Sequence, residues 1–237
     1  MANLTPTTFQ LSDFQNWNEY LQQEGYVVIQ NILPESEKKE AFNLFKKDWN
    51  TISPNFNFED NSTFAIENTP MMFSKGMAVY NGFGQSDFMW YLRGRENIQE
   101  TFRKIHNCQE LVTSMDGFSV YVSGNQKSKS WLHIDQNPNN PIKCCQASYN
   151  LLPVTEDSAG FVVVPKSHIT FKPQINHRRD WIMLKSTDTL DDCPVKLLIP
   201  ENCFTIWNSR TIHCNRGMQE KKKKELNRVT AFITMLP

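Results

Sequence analysis

Beyond residue 110 the chain falls into short apolar stretches, at 112–122, 131–135, 144–152, 160–165, 195–199, 203–207 and 228–235. Turn sequences divide them: Ser123-Gly124-Asn125, Asn137-Pro138-Asn139-Asn140-Pro141, and Asp157 to Gly160. Gly, Pro and Asn supply the backbone geometries that turns require. Many short strands without intervening helices predict an antiparallel sandwich or barrel. The first 110 residues have a different texture. Phe14, Trp17, Tyr20 and Leu21 recur at helical spacing, and Gly25 would stop that helix. Tyr26 to Ile29 reads as one buried strand. Pro34, Glu35 and Glu37 open a second helix with an apolar stripe of Ala41, Phe42, Leu44, Phe45 and Trp49. Residues 53–70 read as a loop. Ser86 and Asn97 are candidate caps, the second ahead of Ile98, Phe102 and Ile105. No repeat and no break is visible. The expected organisation is therefore one domain over 1–237, with a helix-rich part at 1–110 and a barrel core at 111–237.

Composition narrows the function. Lys plus Arg is 25 and Asp plus Glu is 25, so the net charge is zero. That argues against a general nucleic-acid binder and against a polybasic membrane-surface protein. Hydrophobic residues at 39% and aromatics at 12% argue for a folded core rather than disorder. Aliphatic stretches such as Phe161 to Val164 are far shorter than a membrane span. The opening Met-Ala-Asn-Leu-Thr-Pro has no basic region followed by an apolar one, so a cytoplasmic location is expected. Cysteines at 108, 144, 145, 193, 203 and 214 include no C-x-x-C pair, and free thiols are expected. The run Lys221 to Lys224 is expected to be a solvated hairpin loop.

The segment Trp131-Leu132-His133-Ile134-Asp135-Gln136 carries chemistry. Residues two apart on a strand face the same way, so His133 and Asp135 would aim an imidazole and a carboxylate at one point. That is two-thirds of the two-His-one-carboxylate triad that holds Fe(II) with open positions. A third ligand must come from His106, His168, His177 or His213. His213 follows a late apolar strand, and the last strands of a barrel fold back beside early ones, which makes it the natural partner.

These residues resemble the phytanoyl-CoA dioxygenase family of Fe(II)- and 2-oxoglutarate-dependent oxygenases. The resemblance runs from about Gly25 onward. It rests on W-x-H-x-D-Q at 131–136, Q-x-x-x-N-L at 146–151, A-G-x-x-V-x-P-x-S-H at 159–168, W-x-S-R-T-x-H at 207–213 and R-V-T at 228–230. It implies a double-stranded β-helix, a jelly-roll or cupin-like barrel with packed helices, with iron at His133, Asp135 and His213. It also implies a basic residue on the strand after the distal His, paired with the far carboxylate of 2-oxoglutarate. Arg228 fits, since a guanidinium meets a carboxylate with two parallel hydrogen bonds. Thr230, on the same face, could add a hydroxyl. Arg228 stands 15 residues after His213, more than is usual in the family, and a loop extension at 219–225 would explain it. Arg210 and Arg216 are its rivals, and Arg216 is expected in the loop leaving the metal strand. Gln146, Ser148 and Asn150 share one strand face, which is either solvent-facing or the lining of a wet pocket. Asp116 is either a cavity residue or a turn residue. Tyr80, Gln85 and Trp90 lie in a segment that could fold over the barrel mouth. His168 is expected to be structural.

The activity implied is hydroxylation of an unactivated C–H bond of a small organic substrate, consuming O₂ and 2-oxoglutarate and releasing succinate and CO₂. The alternatives are another cupin-type metalloenzyme without 2-oxoglutarate, a protein or peptide hydroxylase of the same mechanism, and a non-catalytic barrel that retains the metal motif.

Overall fold

The computed structural model describes residues 2–73, 76–122, 131–172, 179–218 and 225–237. The first part of the chain contains β1 (Ala2–Leu4), β2 (Thr8–Phe9), α1 (Phe14–Glu24), β3 (Tyr26–Ile29), α2 (Glu35–Ile52), β4 (Met77–Ala78), α3 (Asp87–Arg93) and α4 (Glu96–His106). Then come β5 (Val112–Thr113), β6 (Phe118–Val122), β7 (His133–Ile134), β8 (Cys145–Asn150), β9 (Gly160–Val163) and a short α5 (Ser167–Thr170). The chain continues through β10 (Ile182–Met183), β11 (Val195–Leu197), β12 (Cys203–Asn208), β13 (His213–Arg216), β14 (Leu226–Ile233) and β15 (Met235–Leu236).

Local chemistry sets the helices. Trp17 and Leu21 bury one side of α1, and Gly25 ends it at φ 80°, donating its N–H to the Leu21 carbonyl. That left-handed geometry suits a residue without Cβ. Ala41, Phe45 and Trp49 form the buried stripe of α2. The Ser86 hydroxyl caps α3 by accepting from the Met89 N–H. Asn97 does not cap α4. Arg95 holds the cap position, and the Asn97 amide instead donates to the Ile32 carbonyl at 2.7 Å.

The strands form a six-stranded sheet ordered β1-β11-β9-β13-β7-β10 and a seven-stranded sheet ordered β2-β3-β12-β8-β14-β6-β4, with β15-β5 as a separate pair. The pairings are antiparallel except β1 with β11 and β2 with β3, so both large sheets are mixed. Neither closes on itself among the described residues; the two sheets pack face to face with open edges, an arrangement consistent with the expected cupin-like fold without a closed barrel. The expected strand at 112–122 is broken at residues 114–117, and the 53–70 loop holds two short 3₁₀ turns.

Period-2 alternation gives the seven-stranded sheet two distinct faces. Val120, Ala147, Tyr149, Phe204, Ile206, Val229 and Ala231 join Trp17, Phe45, Trp49, Phe88 and Phe102 of the helices in the main core. The opposite face carries Ser119, Gln146, Ser148, Asn150, Thr205, Arg228 and Thr230, brought side by side by register. Thr230 lies opposite Ser119 and Asn150, and Thr205 opposite Ser148. On this face Val28 and Trp207 meet Phe161, Val163 and Leu197 of the six-stranded sheet in a second core. The candidate site residues sit between the two sheets. All six cysteines are free, and no helix among the described residues is long and apolar enough to cross a membrane. The turn at 123–125, His177 and the lysine run 221–224 lie outside the described residues.

Candidate metal centre and its cavity

His133 and His213 are directly opposed partners on the antiparallel strands β7 and β13. Asp135 follows β7 at the same-face spacing. The N–H groups of Asp135 and Gln136 both donate to the Ser209 carbonyl, at 2.9 and 3.0 Å, which pins the Asp135 turn to the loop entering β13. Each imidazole is oriented by a carbonyl two residues earlier. His133 Nδ1 meets Trp131 O, and His213 Nδ1 meets Thr211 O, both at 2.9 Å. With Nδ1–H donating there, both Nε2 atoms are turned toward Asp135. The separations are 3.5 Å from His133 Nε2 to Oδ1 and 3.1 Å from His213 Nε2 to Oδ2.

Both histidines are buried. Burial pushes the Asp135 carboxyl up. The positive character of His213, its hydrogen bond, His133 and a hydrogen bond from Gln146 outweigh that, so the group lies below its ordinary value. Among the described residues these three form the one group of His, Cys, Asp or Glu whose donor atoms could hold a metal ion, all within 4.8 Å of one another. Two neutral imidazole nitrogens and one carboxylate suit Fe(II), and the cavity they line leaves room for further ligands. That cavity has a volume of about 660 Å³.

Arg228, on β14, is 1% exposed. Its Nε donates to Thr230 Oγ1 at 2.9 Å and its Nη1 to Asn215 Oδ1 at 2.8 Å, while Nη2 has no partner among the described residues. No carboxylate pairs with it among the described residues, and burial lowers its pKa to about 10. Thr230 donates to Asn150 Oδ1 at 3.5 Å, and Asn150 Nδ2 is left without a partner. The hydroxyls of Ser119, Ser148 and Thr205 on the same face are also buried and unpartnered. Buried polar atoms without partners are rare and call for an explanation. A cluster containing an unanswered guanidinium N–H fits a carboxylate ligand.

The structure sorts the expected residues. Gln146 lines the cavity beside Asp135 and helps to lower its pKa. Arg228 stands one hydrogen bond behind the cavity wall, reached through Asn215, with Thr230 and then Asn150 following it in the same hydrogen-bond chain. Asn215 was not singled out in the sequence, although its even spacing from His213 was the signal. Arg216 is the last residue of β13 rather than part of a loop, and its odd spacing from His213 turns it to the other face. Arg210 donates to the Asn140 carbonyl. His168 Nε2 meets the Gln22 carbonyl at 3.0 Å, a structural contact. His106 ends α4, outside the metal group. Asp116 lines the cavity, whereas Tyr80, Gln85 and Trp90 do not. Their neighbours Phe73, Met77 and Val79 do.

No family model matches the chain. Ava biosynthesis cluster protein O of Aspergillus versicolor is 22% identical over 223 residues, covering 84% of this chain and 71% of that protein. Among solved structures, the epimerase SnoN in complex with Fe3+, alpha-ketoglutarate (2-oxoglutarate) and nogalamycin RO superposes with a TM-score of 0.63 at 15% identity. The match covers 95% of this chain and 84% of SnoN. AviO1 from Streptomyces viridochromogenes Tue57 gives 0.61 at 12% identity, over 95% of this chain and 96% of AviO1. SnoK, a non-heme alpha-ketoglutarate-dependent carbocyclase from nogalamycin biosynthesis, gives 0.61 at 12%, over 97% of this chain and 86% of SnoK. At these identities the likeness establishes a fold shared with non-haem iron, alpha-ketoglutarate-dependent enzymes.

Proposed function

We propose that the chain is an Fe(II)- and 2-oxoglutarate-dependent oxygenase that hydroxylates a C–H bond of a small organic molecule. We take it as one domain over 1–237 with a double-stranded β-helix related to the phytanoyl-CoA dioxygenase family. The observation that carries the reading is the convergence of His133, Asp135 and His213 on a cavity backed by a buried guanidinium with a free N–H. In this reading the three side chains hold the metal, and Gln146 fixes the Asp135 carboxylate. Arg228 meets the far carboxylate of 2-oxoglutarate through Nη2. Thr230 and Asn215 hold the guanidinium in place from its other nitrogens, and Asn150 Nδ2 offers a second donor. The chemistry supplied there when the metal and keto acid are bound is oxidation of a C–H bond by O₂, with 2-oxoglutarate leaving as succinate and CO₂. The protein contributes orientation and a cavity walled by aromatic side chains that limits water.

Anaerobic addition of Fe(II) and then 2-oxoglutarate to the purified chain tests this reading. A visible charge-transfer absorbance that needs both components, and that disappears in Asp135→Ala, is the expected result. Metal bound elsewhere, or no 2-oxoglutarate binding, would sink it. An epimerase and a carbocyclase share the fold. Product analysis therefore separates hydroxylation, a gain of one oxygen atom, from another oxidative outcome.

A further inference from the structure

The rest of the cavity wall, beyond the three metal-group side chains, has its own chemistry. Phe73, Met115 and Trp181 line it although each is 49% exposed, which places large apolar side chains at its mouth. Three indoles contribute. Trp131 is stacked on His133 at 4.5 Å between ring centres and is fixed by its N–H to the Asn215 carbonyl at 2.8 Å. Trp181 lies 5.6 Å from His133, and Trp207 is buried with its N–H unpartnered. Among the described lining residues, Asp116 is the one charged side chain apart from the metal group, and no lysine or arginine is present. The Asp116 carboxylate accepts from the Ser114 hydroxyl at 2.5 Å and has no ion-pair partner among the described residues. Arg93 lies close behind it, but its Nη groups donate to the carbonyls of Gly84 and Asp116, both at 2.7 Å, and it faces a separate, smaller cavity.

From this wall we infer that the substrate is a largely apolar, ring-bearing molecule that carries a cationic nitrogen, and that Asp116 selects for that charge. Apolar lining favours the rings. Indole faces attract a cation, and a lone carboxylate adds to the attraction. Among its described residues the same wall offers the phosphates of an acyl-CoA ester an acid and no base. The inference deepens the function proposed above and rests on it only in taking this cavity as the substrate's.

Three pyrene probes of matched size test it: 1-pyrenemethylamine, 1-pyrenemethanol and 1-pyrenecarboxylate. Binding is followed by quenching of tryptophan fluorescence in the full chain, with and without anaerobic Fe(II) and 2-oxoglutarate. The amine is expected to bind about tenfold more tightly than the alcohol, and the carboxylate most weakly. Asp116→Asn should remove the amine's advantage while leaving alcohol binding and the unfolding midpoint unchanged. Asp116→Lys should reverse the order in favour of the carboxylate. Equal binding of amine and carboxylate, an order unchanged in both variants, or binding of none of the probes overturns the inference. Titration of 2-oxoglutarate is read separately. Its failure with the probe order intact removes the oxygenase reading alone, and its success with the probe order lost removes the substrate inference alone.

Discussion

Among the described residues Arg228 is answered only by neutral oxygens, on Thr230 and Asn215, and its Nη2 is left unanswered. In the proposed reading, Arg228→Ala leaves the far carboxylate of 2-oxoglutarate unpaired in a dry site, a loss of about 2–5 kcal/mol. Calorimetric titration should then show affinity for 2-oxoglutarate falling tens-fold or more while iron binding survives. Arg216→Ala, on the other face of β13, should do much less; the opposite order would mean that the wrong arginine has been chosen as the anchor. In the same reading Gln146 acts on the metal through Asp135. Gln146→Leu should weaken iron binding by about 10–100-fold, the usual effect of losing a partner that orients a ligand. Unchanged iron affinity in that variant would show that Asp135 is held without it.

At the scale of elements, the junction at Gly25 joins the end of α1 to the approach to His213. The Gly25 carbonyl accepts from the Thr211 hydroxyl at 2.8 Å and from the Asn208 N–H at 3.0 Å, and the Thr211 carbonyl in turn orients His213. A Cβ at Gly25 would run into His168 Nδ1 and Thr211 Oγ1, at a φ that side chains avoid. Gly25→Ala should cost roughly 2–4 kcal/mol of stability, part conformational and part steric. Urea denaturation measures it, and a loss below half a kilocalorie would show that the junction yields. The sequence made Gly25 visible as a helix stop but not as a neighbour of Thr211, which lies 186 positions away. The same limit governs the rest. The helices α1 and α2 and the longer strands β8, β12 and β14 were legible because their apolar spacing persists over several residues. The edge strands β1, β2, β4 and β10 have two or three residues each, too few to show a period. His133, Asp135 and Arg228 were legible through spacing and family resemblance. The Asn215 contact to Arg228 was not, because it joins strands of two different sheets, and sheet order is not written in local pattern.

For the whole molecule, burial lowers the pKa of both His106 and His168 below the ordinary imidazole value. The unfolded chain then binds more protons than the folded one as pH falls through the ordinary histidine range, so stability is full above about pH 6.5 and declines below it. Urea midpoints at successive pH values should fall on acidification, and His168→Gln should flatten part of the slope; a wild-type midpoint level from neutral pH down to pH 5 would contradict this. The polar face between the sheets bears on a different quantity, the lifetime of the protein in a cell. Among the described residues Ser119, Ser148, Asn150, Thr205 and Arg228 each present a buried atom without a partner, and in the proposed reading a keto acid bound beside Arg228 would answer part of that unmet demand. A ligand at a hundred times its dissociation constant adds about 2.7 kcal/mol to folding. The share of molecules open to proteases would shrink accordingly, by about two orders of magnitude. If 2-oxoglutarate binds as proposed, abundance of this protein should rise and fall with the cell's supply of it even where synthesis is constant, so that the same compound would set protein dose as well as take part in the reaction.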